Sequence, residues 1–453
     1  MKMIDLLENH KSKFGDVIAS AFAPGRVNLI GEYTDFNDGL VLPMPLPLGV
    51  YIFISKGPSG TLIANSEQFE KETKRFIGDK PNGDWTDYLL GALEVSGLDK
   101  TIGLCVSVYS DLPVGASVSS SAAIQVAMLK ALREGFNLVI SDENIAKLAQ
   151  KAENEYVGVQ CGLMDQMVIS VGKQNSALLF DIQSGKTENL EFFDNVNVLT
   201  IHSGVSRKLK DNAYNDRRAS CDRACKDMGI SSLRSATLSD LSKVKNYDDR
   251  IKSQHVISEN LRVLECVKAL RDNDTRLFGK IMNEGHKSLS KDFCVSTEKM
   301  DTMVTFSQDF GALGARMTGA GFGGFIVVLA DRECAKNLVP IDSIYCRDAS
   351  IATDFGMIIC NMGKETRINE PAAQLEIFKN NAIPILGIIE SPGTLEGGDV
   401  AWLDEKTLAV GHTYRTNEHG IKQLKNLLEP KGIEVLVANL PHYKGISDVF
   451  HLM

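Results

Sequence analysis

No apolar run in this chain approaches the roughly 18 residues that a membrane span requires. The first residues, MKMIDLLENHKSKFG, also place charges where a secretion signal needs an apolar core. The sequence therefore predicts a cytoplasmic protein with no membrane partner. Basic charge is short as well: 49 Lys and Arg against 58 Asp and Glu leave a formal charge of -9. A surplus of that sign repels polyanions, so no nucleic-acid partner is expected. Nine cysteines occur without a CxxC pair and with an odd total, which indicates reduced thiols rather than a disulfide framework. Cys221 and Cys225 lie one helical turn apart, but no His flanks them, and zinc is left without ligands. Absent too are a Walker phosphate loop, an internal repeat and any low-complexity tract. What remains is a globular composition, 43% hydrophobic and 24% charged, in 453 residues. That length exceeds what a single core supports, so at least two domains are expected.

Short apolar runs broken by Gly, Pro and Asn between residues 17 and 54 read as several strands joined by tight turns. Residues 85–97 read as a helix, 102–109 as a strand, 122–136 as a helix, and 143–156 as a second helix behind Ser141-Asp142. Helical patterns return over 211–228 and 256–290, and a glycine loop leads into a strand over 325–330. Strands and helices mix without strict alternation, which favours an α+β class over a doubly wound sheet.

Four segments carry chemistry. GRVNLIGEYTDFNDG, residues 25–39, sets Arg, Glu, Asp and Asn against an apolar strand. Such a wall suits a small polyhydroxylated ligand, because carboxylates that accept from neighbouring hydroxyls reject analogues by leaving buried groups unpaired. PVGASVSSSAA, residues 113–123, lies between a strand and a helix. Unpaired backbone N–H groups and the positive end of the helix dipole bind phosphate at such a position, and the serines serve either there or as a helix cap. GARMTGAGFGG, residues 314–324, holds a GxGxxG spacing but precedes a strand, which excludes the dinucleotide fingerprint. In CGLMDQ, residues 161–166, Asp165 sits in apolar surroundings as either a cap or a residue held for chemistry. Arg207, Lys208, Lys210, Arg217, Arg218, Arg223 and Lys226 read as a solvated helix face, with contact of one of them to an ATP phosphate as the alternative, and His286 receives no role.

In that order and at those gaps, these motifs resemble the GHMP small-molecule kinases, and the first of them, with CGLMDQ and the NAYNDRR that contains Tyr214, resembles galactokinases. The resemblance covers roughly residues 15–335. It implies an α+β two-domain fold, with a ribosomal-S5-like N-terminal domain over 1–195 and a ferredoxin-like C-terminal domain over 196–338. The implied activity is transfer of phosphate from ATP to the anomeric hydroxyl of galactose or a close relative. Asp165 would take or orient the hydroxyl proton, and Arg26 would sit beside it and balance charge on the moving phosphoryl group. Glu32, Tyr33, Asp35, Gly162 and Tyr214 would meet the sugar. Gly115, Ala116, Ser117, Ser119, Ser120 and Ser121 would cradle the ATP phosphates, with Ser121 on Mg²⁺, while Gly319, Gly321, Gly323 and Gly324 would support the site from the C-terminal domain. Two departures stand out. Tyr33 occupies a position where galactokinases usually carry His, which opens the choice to another sugar, such as a sugar acid or amino sugar. Ser117 replaces a usual glycine, at a cost of about 1 to 3 kcal/mol if its φ must be positive.

After about residue 339 the text changes. DSIYCRDASIATDFGMIICNMGK and PGTLEGGDVAWLDEKTLAVGHTYRTNEHGIKQL resemble the pentein, or arginine deiminase, superfamily. The resemblance implies part of a propeller-like ring over 339–453, with Asp348, Glu396, Asp399, Arg415 and His451 at matching positions; in that family the acidic residues grip a guanidinium and the His assists a cysteine nucleophile. Cys346 and Cys360 do not match the nucleophile position, so no amidine chemistry is expected. Two further readings stay open: a non-catalytic sugar-binding protein, and an amidinohydrolase-like protein lacking its nucleophile.

Overall fold

Two long antiparallel strands, not several short ones, build the N-terminal segment of the computed structural model, which describes residues 3–67, 69–112, 118–205, 211–337, 348–364 and 367–439. Helix α1 (Met3–Phe14) leads into β1 (Val17–Ile30), which pairs along its length with β2 (Leu40–Lys56). Gly25 is absorbed in a register shift between Pro24 and Arg26, while Pro43, Pro45 and Gly49 pair within the ladder. Pro43 and Pro45 are tolerated because that stretch of β2 has β1 on one side and no named strand on the other.

The chain continues through β3 (Thr61–Ser66), β4 (Phe69–Phe76), α2 (Thr86–Ser96), β5 (Leu104–Ser110), α3 (Ser120–Phe136), α4 (Asp142–Lys151), α5 (Met164–Val171), β6 (Ser176–Asp181) and β7 (Lys186–Glu191). The strands form a seven-stranded sheet in the order β4-β3-β5-β2-β6-β7, with β1 on β2. Val50, Ile52, Val106, Val126, Leu129, Ile145 and Val168 fill the core that joins it to the helices. The helix expected over 143–156 ends at Lys151 and passes into a π-helical turn, Ala152–Val157. Such turns occur often at functional sites.

Next come β8 (Val196–His202), α6 (Asp211–Met228), α7 (Tyr247–Arg271), α8 (Thr275–Lys291), α9 (Glu298–Asp309), β9 (Gly314–Thr318) and β10 (Phe325–Asp331). These strands make a three-stranded antiparallel sheet in the order β8-β10-β9. The single helical stretch expected over 256–290 is two helices, because Asn273 takes a left-handed φ of 55° and Asp274 caps α8 through the Leu277 N–H. Val27 and Leu29 pack into a second core with Phe192, Phe193, Val263 and Phe278. Alternation along β1 therefore turns Arg26 and Asn28 the other way.

A buried charge network braces the turn after β1. Arg316 on β9, with no exposed surface, donates to Glu32 and, at 2.7 Å, to Glu259 on α7. Glu259 also accepts from Arg262 at 2.7 Å and from the Gly31 N–H at 3.0 Å.

Chain contacts divide the molecule into Met1–Asp331 and Arg332–Met453. The second unit opens with α10 (Arg332–Asn337) and then repeats one motif. β11 (Ser350–Thr353), β12 (Gly356–Ile359), α11 (Glu370–Asn380) and β13 (Ile385–Ile388) form an antiparallel pair, a helix and a parallel strand. β14 (Val400–Asp404), β15 (Thr407–His412), α12 (Glu418–Leu428) and β16 (Glu434–Asn439) do the same. Among the described residues these two sheets have three strands each and do not close on one another.

Removing one partner of a buried ion network strands a charge. Glu259→Ala is expected to cost about 3 to 5 kcal/mol of unfolding free energy in urea titrations, and a loss under about 1 kcal/mol would contradict the bracing role.

Candidate active site

Arg26 reaches its partner from a strand whose neighbours are anchored in the core. Its Nε donates to Asp165 Oδ1 and its Nη2 to Asp165 Oδ2, both at 2.7 Å, across 139 positions of sequence. This is the two-pronged geometry that a guanidinium offers a carboxylate. Asp165 lies in the first turn of α5, where the helix dipole favours an acid. The Arg26 side chain is 9% exposed and that of Asp165 28%, so the carboxylate opens outward while its counter-ion does not.

Ser119 completes the arrangement. It precedes α3 with a left-handed φ of 61° and does not cap the helix with its side chain. Its hydroxyl donates instead to Asp165 Oδ2. The sequence placed Ser119 on phosphate, and the structure gives its proton to the candidate base. Arg26 N–H also donates to Val118 O at 3.1 Å, which ties the first motif to the serine loop. Gly25 has no room for a side chain there, because a Cβ would stand 2.7 Å from Leu112 Cδ2 and 3.0 Å from Val118 O.

Asp35, in the short helical turn Asp35–Asn37, lies against Gly162 so closely that a Cβ on Gly162 would meet its Oδ2 at 2.3 Å. Burial first, then the like charge of Asp165, pushes the Asp35 carboxyl up to about 6, with the Phe36 N–H and Arg218 opposing. Glu32 is pushed up to about 7 by burial, with Arg316 opposing and Glu259 adding to the shift. Its carboxylate is engaged by Arg316 within the protein. Tyr33, with a left-handed φ of 68°, donates its hydroxyl to Ala320 O at 2.5 Å, and its ring packs on Phe293 with centroids 4.6 Å apart. Two of the expected sugar contacts thus hold protein partners, while Asp35 and Asp165 form the acidic pair.

The glycine loop follows a backbone that side chains cannot share. Gly321 and Gly323 have φ of 69° and 120°, and a Cβ on either would stand 2.2 Å from Val295 O or 2.7 Å from Val205 O. Gly319 and Gly324 are also left-handed, at 80° and 87°. Gly115, Ala116 and Ser117 lie outside the described residues, as do Cys346 and His451. Tyr214 falls on α6, and its side chain is likewise outside them.

Sequence reading missed Glu153. It lies in the π-helical turn, is 6% exposed, accepts from Gln166 at 2.8 Å and faces Ser121 in the first turn of α3. Burial raises its carboxyl and Asp165 adds to the rise. The available signal was its place on the apolar stripe that runs through Ile145, Ala149 and Ala152. His286, left without a role, is a packed histidine: Nδ1 accepts from the Met317 N–H at 3.2 Å, Nε2 lies 3.1 Å from Asp301, and burial lowers its pKa to about 4.

In the second unit, Arg367 donates to Asp348 at 2.6 Å and to Glu370 at 2.6 and 2.8 Å. Arg415 donates to Glu396 at 3.3 Å, and Asp399 accepts from Thr413 and Thr416 at 2.9 and 2.6 Å. Cys360 is buried among them, and burial followed by the charges of Glu396 and Asp348 raises its thiol pKa.

A carboxylate paired with a guanidinium at the start of α3, in an α+β frame, fits a small-molecule kinase of the GHMP class. Family models agree: a galactokinase galactose-binding signature matches residues 8–56, GHMP kinases N terminal domain 87–173 and GHMP kinases C terminal 266–339. The chain is 36% identical over 360 residues to a galactokinase of Clostridium beijerinckii, spanning 75% of this chain and 92% of that one. It is 38% identical over 320 residues to a galactokinase of Pyrococcus furiosus, spanning 70% and 90%. The crystal structure of Lactococcus lactis galactokinase complexed with galactose superposes with a TM-score of 0.69 at 28% identity, over 74% of this chain and 91% of that one. Methanococcus jannaschii mevalonate kinase shares the fold, with a TM-score of 0.55 at 22% identity. The chain belongs to the galactokinase family, and it is a sugar kinase with ATP as its co-substrate. Residues 337–452 match an arginine deiminase family model.

The Asp35 shift yields a signed prediction. A folded pKa near 6 above an unfolded 3.8 gives stability that is present below 3.8 and lost as pH rises through 6. Asp35→Asn is therefore expected to stabilise the unliganded chain by about 1 to 3 kcal/mol at pH 8 and by less at pH 5. Thermal melts of both proteins at the two pH values check this, and a variant that melts below its parent at pH 8 would contradict it.

Proposed function

We propose that this chain transfers the γ-phosphoryl group of ATP to the anomeric hydroxyl of galactose, giving the sugar 1-phosphate and ADP. The observation that carries the proposal is the Arg26 and Asp165 pair with Ser119 on the same carboxylate. Those three donated bonds occupy three of the roughly four lone-pair directions of a carboxylate, and a further one is left to accept a sugar hydroxyl. Asp165 takes the hydroxyl proton as the sugar oxygen bonds to phosphorus, and the bond from phosphorus to the ADP oxygen breaks. Arg26 fixes the carboxylate and places a positive charge beside the transferring group. Asp35, with Gly162 giving it room, selects hydroxyls, and Glu32, Tyr33 and Tyr214 shape the rest of the sugar site.

The start of α3 supports phosphate binding by Ser120, Ser121 and the 113–117 loop. Among the described residues no group of three or more His, Cys, Asp and Glu could hold a metal. The oxygen pair of Ser121 and buried Glu153 nevertheless fits Mg²⁺, which takes one or two protein ligands and completes its shell with phosphates and water. Bound there, Mg²⁺ would neutralise charge on the ATP phosphates.

We read residues 1–195 and 196–338 as the two kinase domains, and 339–453 as a pentein-like segment. Its paired antiparallel, helix and parallel units support that reading. We assign no amidine chemistry to it: neither Cys346 nor Cys360 matches the nucleophile position, and burial with the charges of Glu396 and Asp348 disfavours the Cys360 thiolate. A sugar other than galactose is the second reading of the kinase, favoured by Tyr33 committing its hydroxyl to Ala320.

Coupled detection of ADP over a panel of hexoses, sugar acids and amino sugars tests both readings. Galactose is expected to turn over best, and activity on galactose no better than on glucose would overturn the first. Asp165→Asn is expected to lower kcat by about 10²- to 10⁴-fold while galactose still raises the melting temperature. Unchanged kcat would remove Asp165 from the chemistry.

A further inference from the structure

Among the described basic residues of α6, Arg218, Arg223 and Lys226 are exposed, whereas Arg217 is half-buried and held by backbone carbonyls. Arg217 donates from Nε to Phe293 O at 2.8 Å and from Nη2 to Cys294 O at 2.9 Å, and its guanidinium lies over the Phe322 ring, 5.9 Å from the centroid. Those two carbonyls belong to a short strap after α8 in which Cys294 holds a left-handed φ of 57°. A non-glycine residue in that region stays there only when its surroundings hold it.

The strap touches both Tyr33 and the glycine loop. On one side the Phe293 ring packs on Tyr33 with centroids 4.6 Å apart. On the other, Val295 O accepts from the Phe322 N–H at 2.7 Å and leaves no room for a Cβ on Gly321. Tyr33 then closes the circuit by donating to Ala320 O at 2.5 Å. Arg217 thus fixes the strap, the strap seats Tyr33 and the glycine loop, and these two grip each other. No hydrogen bond or ion pair links Arg217 to Arg26, Asp165 or Ser119 among the described residues.

We infer that Arg217 is a positioning residue for sugar binding, acting through Tyr33 and the glycine loop and not through the phosphoryl-transfer groups. The inference rests on the kinase reading above and names a residue that sets the shape of its sugar pocket. A lysine cannot reproduce it, since one ammonium point charge cannot span two carbonyls with the planar fork of a guanidinium.

The test is a binding and kinetic comparison of the full chain with Arg217→Ala, Arg217→Lys, Tyr33→Phe and the Arg217→Ala/Tyr33→Phe double variant. Galactose affinity is measured by calorimetry and turnover by ADP release. Arg217→Ala is expected to weaken galactose binding and raise its KM by about ten- to hundredfold, with kcat within about threefold of the parent. Arg217→Lys should recover less than half of the lost binding free energy. The double variant should lose less than the sum of the two single losses, because both changes open one circuit. Additive losses, a galactose affinity within twofold of the parent, or a drop in kcat alone would overturn the inference. So would full recovery by Lys, which would reduce Arg217 to a structural charge. Absence of turnover in the parent chain would count against the kinase reading, whereas the calorimetric comparison reads Arg217 whether or not turnover is seen.

Discussion

One ion pair organises the first unit: the guanidinium of Arg26 laid in parallel on the carboxylate of Asp165. Each partner is held by something other than the pair itself. Arg26 stands on a strand whose next residue, Val27, is anchored in a core, and its own N–H is tied to Val118. Asp165 stands in the first turn of α5, and Ser119 gives up its usual helix-capping role to donate to it. Such preorganisation matters because a base that must first find its orientation contributes less to a transition state than one already set. It also explains the spaces left bare nearby, since Gly25 and Gly162 would each drive a Cβ into the groups that frame the pair.

A second layer of charge supports this one at greater depth. Arg316 is shared by Glu32 and Glu259, and Glu259 in turn accepts from Arg262 and from the backbone at Gly31. Burial raises the Glu32 carboxyl, whereas for Glu259 the two guanidinium groups overcome burial and hold it below the usual range. A buried network of this kind adds little net stability over an apolar core but specifies one arrangement of the chain. Here the specified arrangement is the turn that presents Tyr33 and Asp35. Stability and recognition pull in opposite directions at Asp35, which is placed where a carboxylate is uncomfortable in the absence of a ligand.

Much of this was legible in the residues, for reasons that can be named. Helices α3 and α6 and strand β10 show in the sequence because composition and periodicity agree over long stretches. Arg26, Asp35, Gly162 and Asp165 are brought together, as the resemblance implied, while Ser119, expected on phosphate, donates to Asp165. The long pairing of β1 with β2 was less visible, because register shifts and prolines facing no second named strand look like turns when read locally. The partnership of Glu32 with Arg316 spans 284 positions, and nothing local in GEYTD distinguishes a carboxylate aimed at a ligand from one aimed at a guanidinium. Glu153 was legible only as a charge on an apolar stripe. Arg217 sat among basic residues of which Arg218, Arg223 and Lys226 are exposed, and its two carbonyl partners set it apart from them.

If the Arg26 and Asp165 pair acts as one device, removing both halves should do no more harm than removing the one that matters most. Turnover of galactose and ATP by Arg26→Ala, Asp165→Ala and the double variant measures this directly. The account predicts that the double variant falls within about threefold of the slower single one. Two losses that multiply would show that the residues act independently, and would contradict it.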